Sequence, residues 1–237
     1  MIKRLALGVV LAGVMTPAMA GIPVEAERTC PVGGETFTIV ETLSCTTFGR
    51  TMSFRSLSSC DFVTRLPVCP GNGLPLYKEF SPDEVTRLET LLATSAFADL
   101  GDLEPWQRAY RIAGELGDTG SKQGFLLLLQ ALWYESDSFL KNATALEAFV
   151  REAEGELERV EKREKPFVAA IVSYTLAAAG QPDRAEDWFG RATALTEALA
   201  SENGDVTYLR AYLEKVSACR ADMSAESCSP NAPFRPE

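Results

Sequence analysis

Six cysteines and no histidine set the first limits on this chain of 237 residues. Two of the cysteines open matching fragments, Cys30-Pro31-Val32-Gly33-Gly34 and Cys69-Pro70-Gly71-Asn72-Gly73. Each has the Cys-Pro-x-x-Gly outline of half a zinc knuckle, with Gly33 and Asn72 where the second cysteine would stand. A zinc ribbon sets two complete knuckles face to face and holds the metal with four thiolates in a tetrahedron. Sulfurs about 2.3 Å from one tetrahedral ion lie under about 4 Å from each other, close to disulfide distance. With one cysteine left in each turn, the geometry predicts a Cys30–Cys69 disulfide. Cys45 and Cys60 lie between them and are expected to form a nested second bridge. Cys219 and Cys228 would form a third, pinning the C-terminal tail to the last helix. Six cysteines admit many pairings, so this connectivity rests on the motif geometry. The competing arrangement is a four-thiolate zinc site from Cys30, Cys45, Cys60 and Cys69. Against it stand the lack of any Cys-x-x-Cys pair and the oxidation of exported thiols.

Export is itself read from the first 20 residues. Lys3 and Arg4 precede an apolar run from Leu5 to Met15, and Ala18-Met19-Ala20 supplies a small-x-small cleavage site. The run is shorter than the roughly 20 apolar residues that a membrane-spanning helix needs, so a signal peptide cleaved after Ala20 is expected. The protein is then periplasmic or secreted. Cleavage removes two of the 23 basic residues and none of the 33 acidic ones, deepening a net charge of −10. So acidic a chain is repelled by phosphate backbones and anionic bilayers, which argues against nucleic acid as a partner. Stable membrane insertion is not expected either. The apolar stretch from Gly124 to Trp133 is short and followed by Glu135 and Asp137, so it reads as a core helix.

The chain divides by pattern. Residues 21–80 form a cysteine-rich region of strand and turn. Phe37 and Ile39 alternate within a short strand, and Pro67, Pro70, Pro75, Gly71 and Gly73 favour loop towards its end. So small a region needs covalent support. From Ser81 to residue 218 the periodicity is helical. Ser81, Pro82 and Glu84 form a helix start, followed by the apolar stripe Val85, Leu88, Leu91 and Leu92. Further helices are expected over Pro105–Leu116, Ser121–Tyr134, Ser138–Glu164, Pro166–Ala179, Pro182–Ser201 and Val206–Ala218, packed as antiparallel hairpins. Asn142 or Thr144 could restart the long one. Residues 219–237 are a tail. The fold class is mainly α after a small disulfide-stapled β ribbon.

One predicted hairpin has small residues Ala169 and Ser173 on its first helix, Gly180 at the turn, and Ala185, Phe189 and Ala192 on its second. This is similar to a tetratricopeptide (TPR) repeat, although the usual Trp and Leu-Gly positions are replaced. Together with the paired Cys-Pro turns and Phe37, the layout resembles the bacterial family called domain of unknown function 2225. That resemblance implies a cysteine ribbon joined to a TPR-like helical region over Cys30 to about Leu199. It supplies no catalytic residues, and Gly33 and Asn72 depart from its metal ligands.

No other motif points to chemistry. Glu152, Glu154, Glu156 and Glu158, interspersed with basic residues, read as a solvated helix face. Trp106, Trp133 and Trp188 lie on apolar stripes and read as core. Asn142-Ala143-Thr144 matches a glycosylation acceptor. Without histidine, neither a Ser-His-Asp nor a Cys-His centre can be built. No catalytic, cofactor-binding or metal-binding residue is assigned, and no cofactor is expected. The leading expectation is a non-enzymatic scaffold or adaptor with a protein or peptide partner. The second is an enzyme or small-ligand carrier with a cleft between ribbon and helices.

Overall fold

The computed structural model describes residues 21–202 and 204–236. The expected signal peptide lies outside them. The fold is mainly helical, preceded by a small disulfide-bonded β region. Strand β1 (Pro23–Thr29) pairs antiparallel with β2 (Thr36–Thr42), from Pro23 opposite Thr42 to Thr29 opposite Thr36. Strand β3 (Thr47–Thr51) lies between β4 (Ser56–Ser58) and β5 (Pro233–Phe234). In the stretch from Arg50 to Tyr77, where turns and loop are expected, Arg50–Thr51 and Ser56–Ser58 instead join a small sheet closed by the C-terminal tail. β3 and β4 pair locally, whereas β5 reaches the sheet from the C-terminal tail, so no local pattern announces its pairing.

The two Cys-Pro turns share one backbone pattern. Cys30 N–H donates to Glu35 O and Gly34 N–H to Cys30 O; Cys69 N–H donates to Leu74 O and Gly73 N–H to Cys69 O. Gly34 and Gly73 occupy equivalent left-handed positions, with φ of 69° and 71°, which glycine adopts without steric cost. Disulfides join Cys30 to Cys69, Cys45 to Cys60, and Cys219 to Cys228, at Cα separations of 5.7, 5.6 and 5.4 Å.

Helix α1 (Pro82–Leu92) begins with a full capping box between Ser81 and Glu84. Short α2 (Ser95–Ala98) leads to α3 (Pro105–Leu116), which ends where Gly117 turns left-handed. Then follow α4 (Lys122–Tyr134), the single turn α5 (Ser136–Phe139), α6 (Ala143–Arg159), α7 (Lys165–Ala178), α8 (Pro182–Ser201) and α9 (Thr207–Ala221). The long helix expected from Ser138 is therefore two. Asn142 makes the restart by accepting from Ala145 N–H, and its amide also donates to Gln107 Oε1. A glycan, attached at Nδ2, would compete with the bond to Gln107.

Sequential helices pack as hairpins, and α7 lies centrally against α6, α8 and α9. Ala169, Ser173, Ala185 and Ala192 are fully buried between α7 and α8, where Ser173 Oγ donates to Ala185 O at 2.7 Å. A smaller core unites the first disulfide with Leu74, Leu88, Leu100, Ile112 and Leu116. Arg108 fastens this layer, donating to the carbonyls of Gly73, Leu100, Gly101 and Leu103. Lys78 pairs with both Glu84 at 2.6 Å and Asp118 at 2.7 Å. The Lys78 ammonium and the capping N–H of Ser81 lower the Glu84 pKa to about 2.

A groove between the β region and the helices

Helices α4, α7 and α9 each present a large side chain whose polar tip bonds to backbone of the β3–β4 turn or of the C-terminal tail. Trp133 Nε1 donates to Ser53 O at 2.8 Å, Tyr212 Oη to Met52 O at 2.7 Å, and Tyr174 Oη to Cys228 O at 2.8 Å. The first two hold the turn between β3 and β4, residues 51–55, against the helices. The tail holds the same turn from another side, because Met52 N–H donates to Ala232 O and Ser53 N–H to Pro230 O. Met52 is completely buried.

Phe54 stands at the apex of this turn with φ 69°, the one non-glycine residue with positive φ among those described. A left-handed L-residue costs about 1–2 kcal/mol, so its surroundings must compensate. Its ring centroid lies 5.2 Å from Phe167, 4.9 Å from Tyr212 and 6.2 Å from Tyr208. The Arg50 guanidinium sits 4.8 Å from the Phe54 ring centroid, within cation–π range.

Beyond Phe54 the helical face remains open as a cavity of about 620 Å³. Its floor is apolar: Phe125 and Leu129 from α4, Phe167 and Ile171 from α7, Leu199 from α8, and Tyr208 and Leu209 from α9. Arg50, Lys122, Arg163, Glu156, Glu164 and Asp205 supply its charged groups. Burial raises the Tyr208 phenol pKa, and the nearby Arg50 charge opposes that rise.

Several of these charges are committed elsewhere. Glu156 accepts from Arg159 Nε at 3.0 Å, Arg163 pairs with Glu161, and Asp205 accepts from Thr207 N–H. Glu152 and Glu156 correct the expectation of a wholly solvated acidic face, being 2% and 4% exposed. Glu152 accepts from Tyr110 Oη and from Gly120 N–H, while Arg159 donates to Gly120 O. Both carboxylates thus fasten the turn between α3 and α4. A Cβ on Gly124 would stand 2.7 Å from Glu152 Oε2, so glycine is needed beneath the carboxylate. Glu154 stays exposed and pairs with Arg191. The signal was present in the spacing, because Glu152 and Glu156 continue the stripe begun by Ala145 and Phe149.

The cysteines stand apart from this groove. Cys30, Cys69, Cys60, Cys219 and Cys228 are buried and Cys45 is exposed. The four that could have shared a zinc ion are divided between two disulfides, and no cluster of three or more metal-ligating side chains occurs among the described residues. The vacant ligand positions face each other: a Cβ on Gly33 would lie 4.0 Å from Asn72 Nδ2. Asn72 bridges the turns by donating to Val32 O at 2.9 Å, and Glu35 accepts from Gly71 N–H at 2.7 Å. Gly33 has φ 92°, so a cysteine there would be strained. Trp106 and Trp188 are core, whereas partly buried Trp133 helps to hold the turn.

No family model matches the chain, and no curated protein or solved structure shows significant similarity to it. No helix among the described residues is long and apolar enough to cross a membrane.

Proposed function

We propose that this is an exported, non-enzymatic binding protein that carries a small ligand with an apolar body between its β region and its helices. The observation that carries this reading is the cavity of about 620 Å³ with its aromatic and aliphatic floor. Its size falls among small-molecule sites, which are mostly apolar with a few placed polar groups. Three disulfides support an oxidising compartment, as a periplasmic or secreted protein would meet. The matching Cys-Pro turns and the small-residue α7–α8 contact support the resemblance to a cysteine ribbon joined to TPR-like helices.

A second reading, a scaffold with a protein partner, is favoured by one observation. Ile22, Val24, Leu43 and Phe48 expose large apolar side chains on the β region.

Nile red separates these readings, since it fluoresces when it enters a dry apolar site. Val160 and Leu199 line the cavity and are partly buried, so one saturable site per chain is expected, weakened at least about tenfold when Val160→Trp or Leu199→Trp fills it. Unchanged thermal unfolding would show that each variant is folded. Equal binding by wild type and both variants, or none by wild type, would exclude the cavity as a ligand site.

A further inference from the structure

The charges around the cavity define its ligand more narrowly. We infer that the ligand is an anionic amphiphile, a straight-chain carboxylate whose head is received by Arg50 and Lys122 and whose tail covers the apolar floor. This rests on reading the cavity as a ligand site. Arg50 is held by Nη1, which donates to Phe54 O and Ser56 Oγ, both at 3.2 Å. Its Nε and Nη2 donors have no protein partner among the described residues, and Arg50 has no carboxylate partner there. Those two donors form one edge of the guanidinium, suited to a bidentate carboxylate. Lys122 is exposed at the start of α4 and is likewise without an acidic partner among the described residues.

Two cations, Arg50 and Lys122, and two carboxylates, Asp205 and Glu164, line the cavity without an ion-pair partner among the described residues. Glu156 is neutralised by Arg159 and Arg163 is paired with Glu161, while Asp205 accepts from Thr207 N–H and keeps its charge. Glu164 is the other unpaired carboxylate, exposed at the first residue before α7. Arg50, partly buried and held by Nη1, lines the cavity with its Nε and Nη2 edge unused among the described residues. A neutral ligand would leave that edge unmatched, and a cationic one would meet like charge.

The test is displacement of Nile red from the disulfide-intact protein by decanoate, decan-1-ol and decylamine. These probes share a tail and differ in the head. Decanoate, the better hydrated of the acid and alcohol, is expected to displace at about tenfold or more lower concentration than decan-1-ol. That advantage should disappear in Arg50→Gln, shrink in Lys122→Gln, and weaken with added salt. Lys122→Gln removes an exposed side chain without a protein partner among the described residues, so its result stands even if Arg50→Gln unfolds. Equal displacement by decanoate and decan-1-ol would overturn carboxylate recognition and leave the cavity reading intact. Stronger displacement by decylamine would overturn it in favour of Glu164. Failure of all three probes, together with no saturable Nile red binding, would overturn both readings.

Discussion

Replacing Cys30 and Cys69 together by serine is expected to lower the unfolding free energy by about 4 kcal/mol. The bridge closes a loop with a sequence separation of 39, and loop-closure entropy alone gives about that magnitude. The native packing adds to it, because Cys30 and Cys69 are 2% and 1% exposed within an apolar cluster with Leu88 and Ile112. Two serine hydroxyls there would need partners that this cluster does not supply. Urea unfolding of the wild type and the double variant measures the difference. A loss below about 1 kcal/mol would mean that Asn72, Glu35 and Arg108 hold the turns unaided.

Tyr212→Ala is expected to cost about 3–5 kcal/mol and Tyr212→Phe about 1–3 kcal/mol. The side chain is completely buried, its ring packs on Phe54 and Phe234, and its hydroxyl donates to Met52 O. Phenylalanine preserves the ring and leaves a buried carbonyl without its donor. Alanine also opens a cavity where three distant segments meet. Hydrogen exchange locates the effect: the amides of Met52 and Ser53, bonded to Ala232 O and Pro230 O, should exchange faster in Tyr212→Phe, while those of α7 should not. Uniformly faster exchange would show instead that Tyr212 serves the whole core, with no particular hold on the turn.

What the sequence revealed follows the range of each interaction. The start of α1 was legible because Ser81, Pro82 and Glu84 form a local capping unit. The Cys30–Cys69 pair was legible because two matching turns carry one cysteine each. Strand β1, Pro-Val-Glu-Ala-Glu-Arg-Thr, was not, because its side chains are nearly all exposed and its order comes from backbone pairing with β2. Strand β5 was hidden because two residues near the end of the chain pair with Arg50 and Thr51. The groove was hidden for a related reason. Phe125, Phe167 and Tyr208 lie on helical stripes, and periodicity cannot distinguish a core side chain from one lining a cavity. Arg50 gains significance only where the β3–β4 turn meets α7 and α9.

The most direct test of the ligand cavity is a titration of the isotopically labelled protein with decanoate, followed by backbone and methyl chemical shifts. The account predicts saturable changes concentrated at Arg50, Phe54, Phe125, Ile171, Tyr208 and Leu209, with α8 near Trp188 unmoved. Changes centred instead between α8 and α9, around Thr193 and Ser217, or no saturable change, would contradict it.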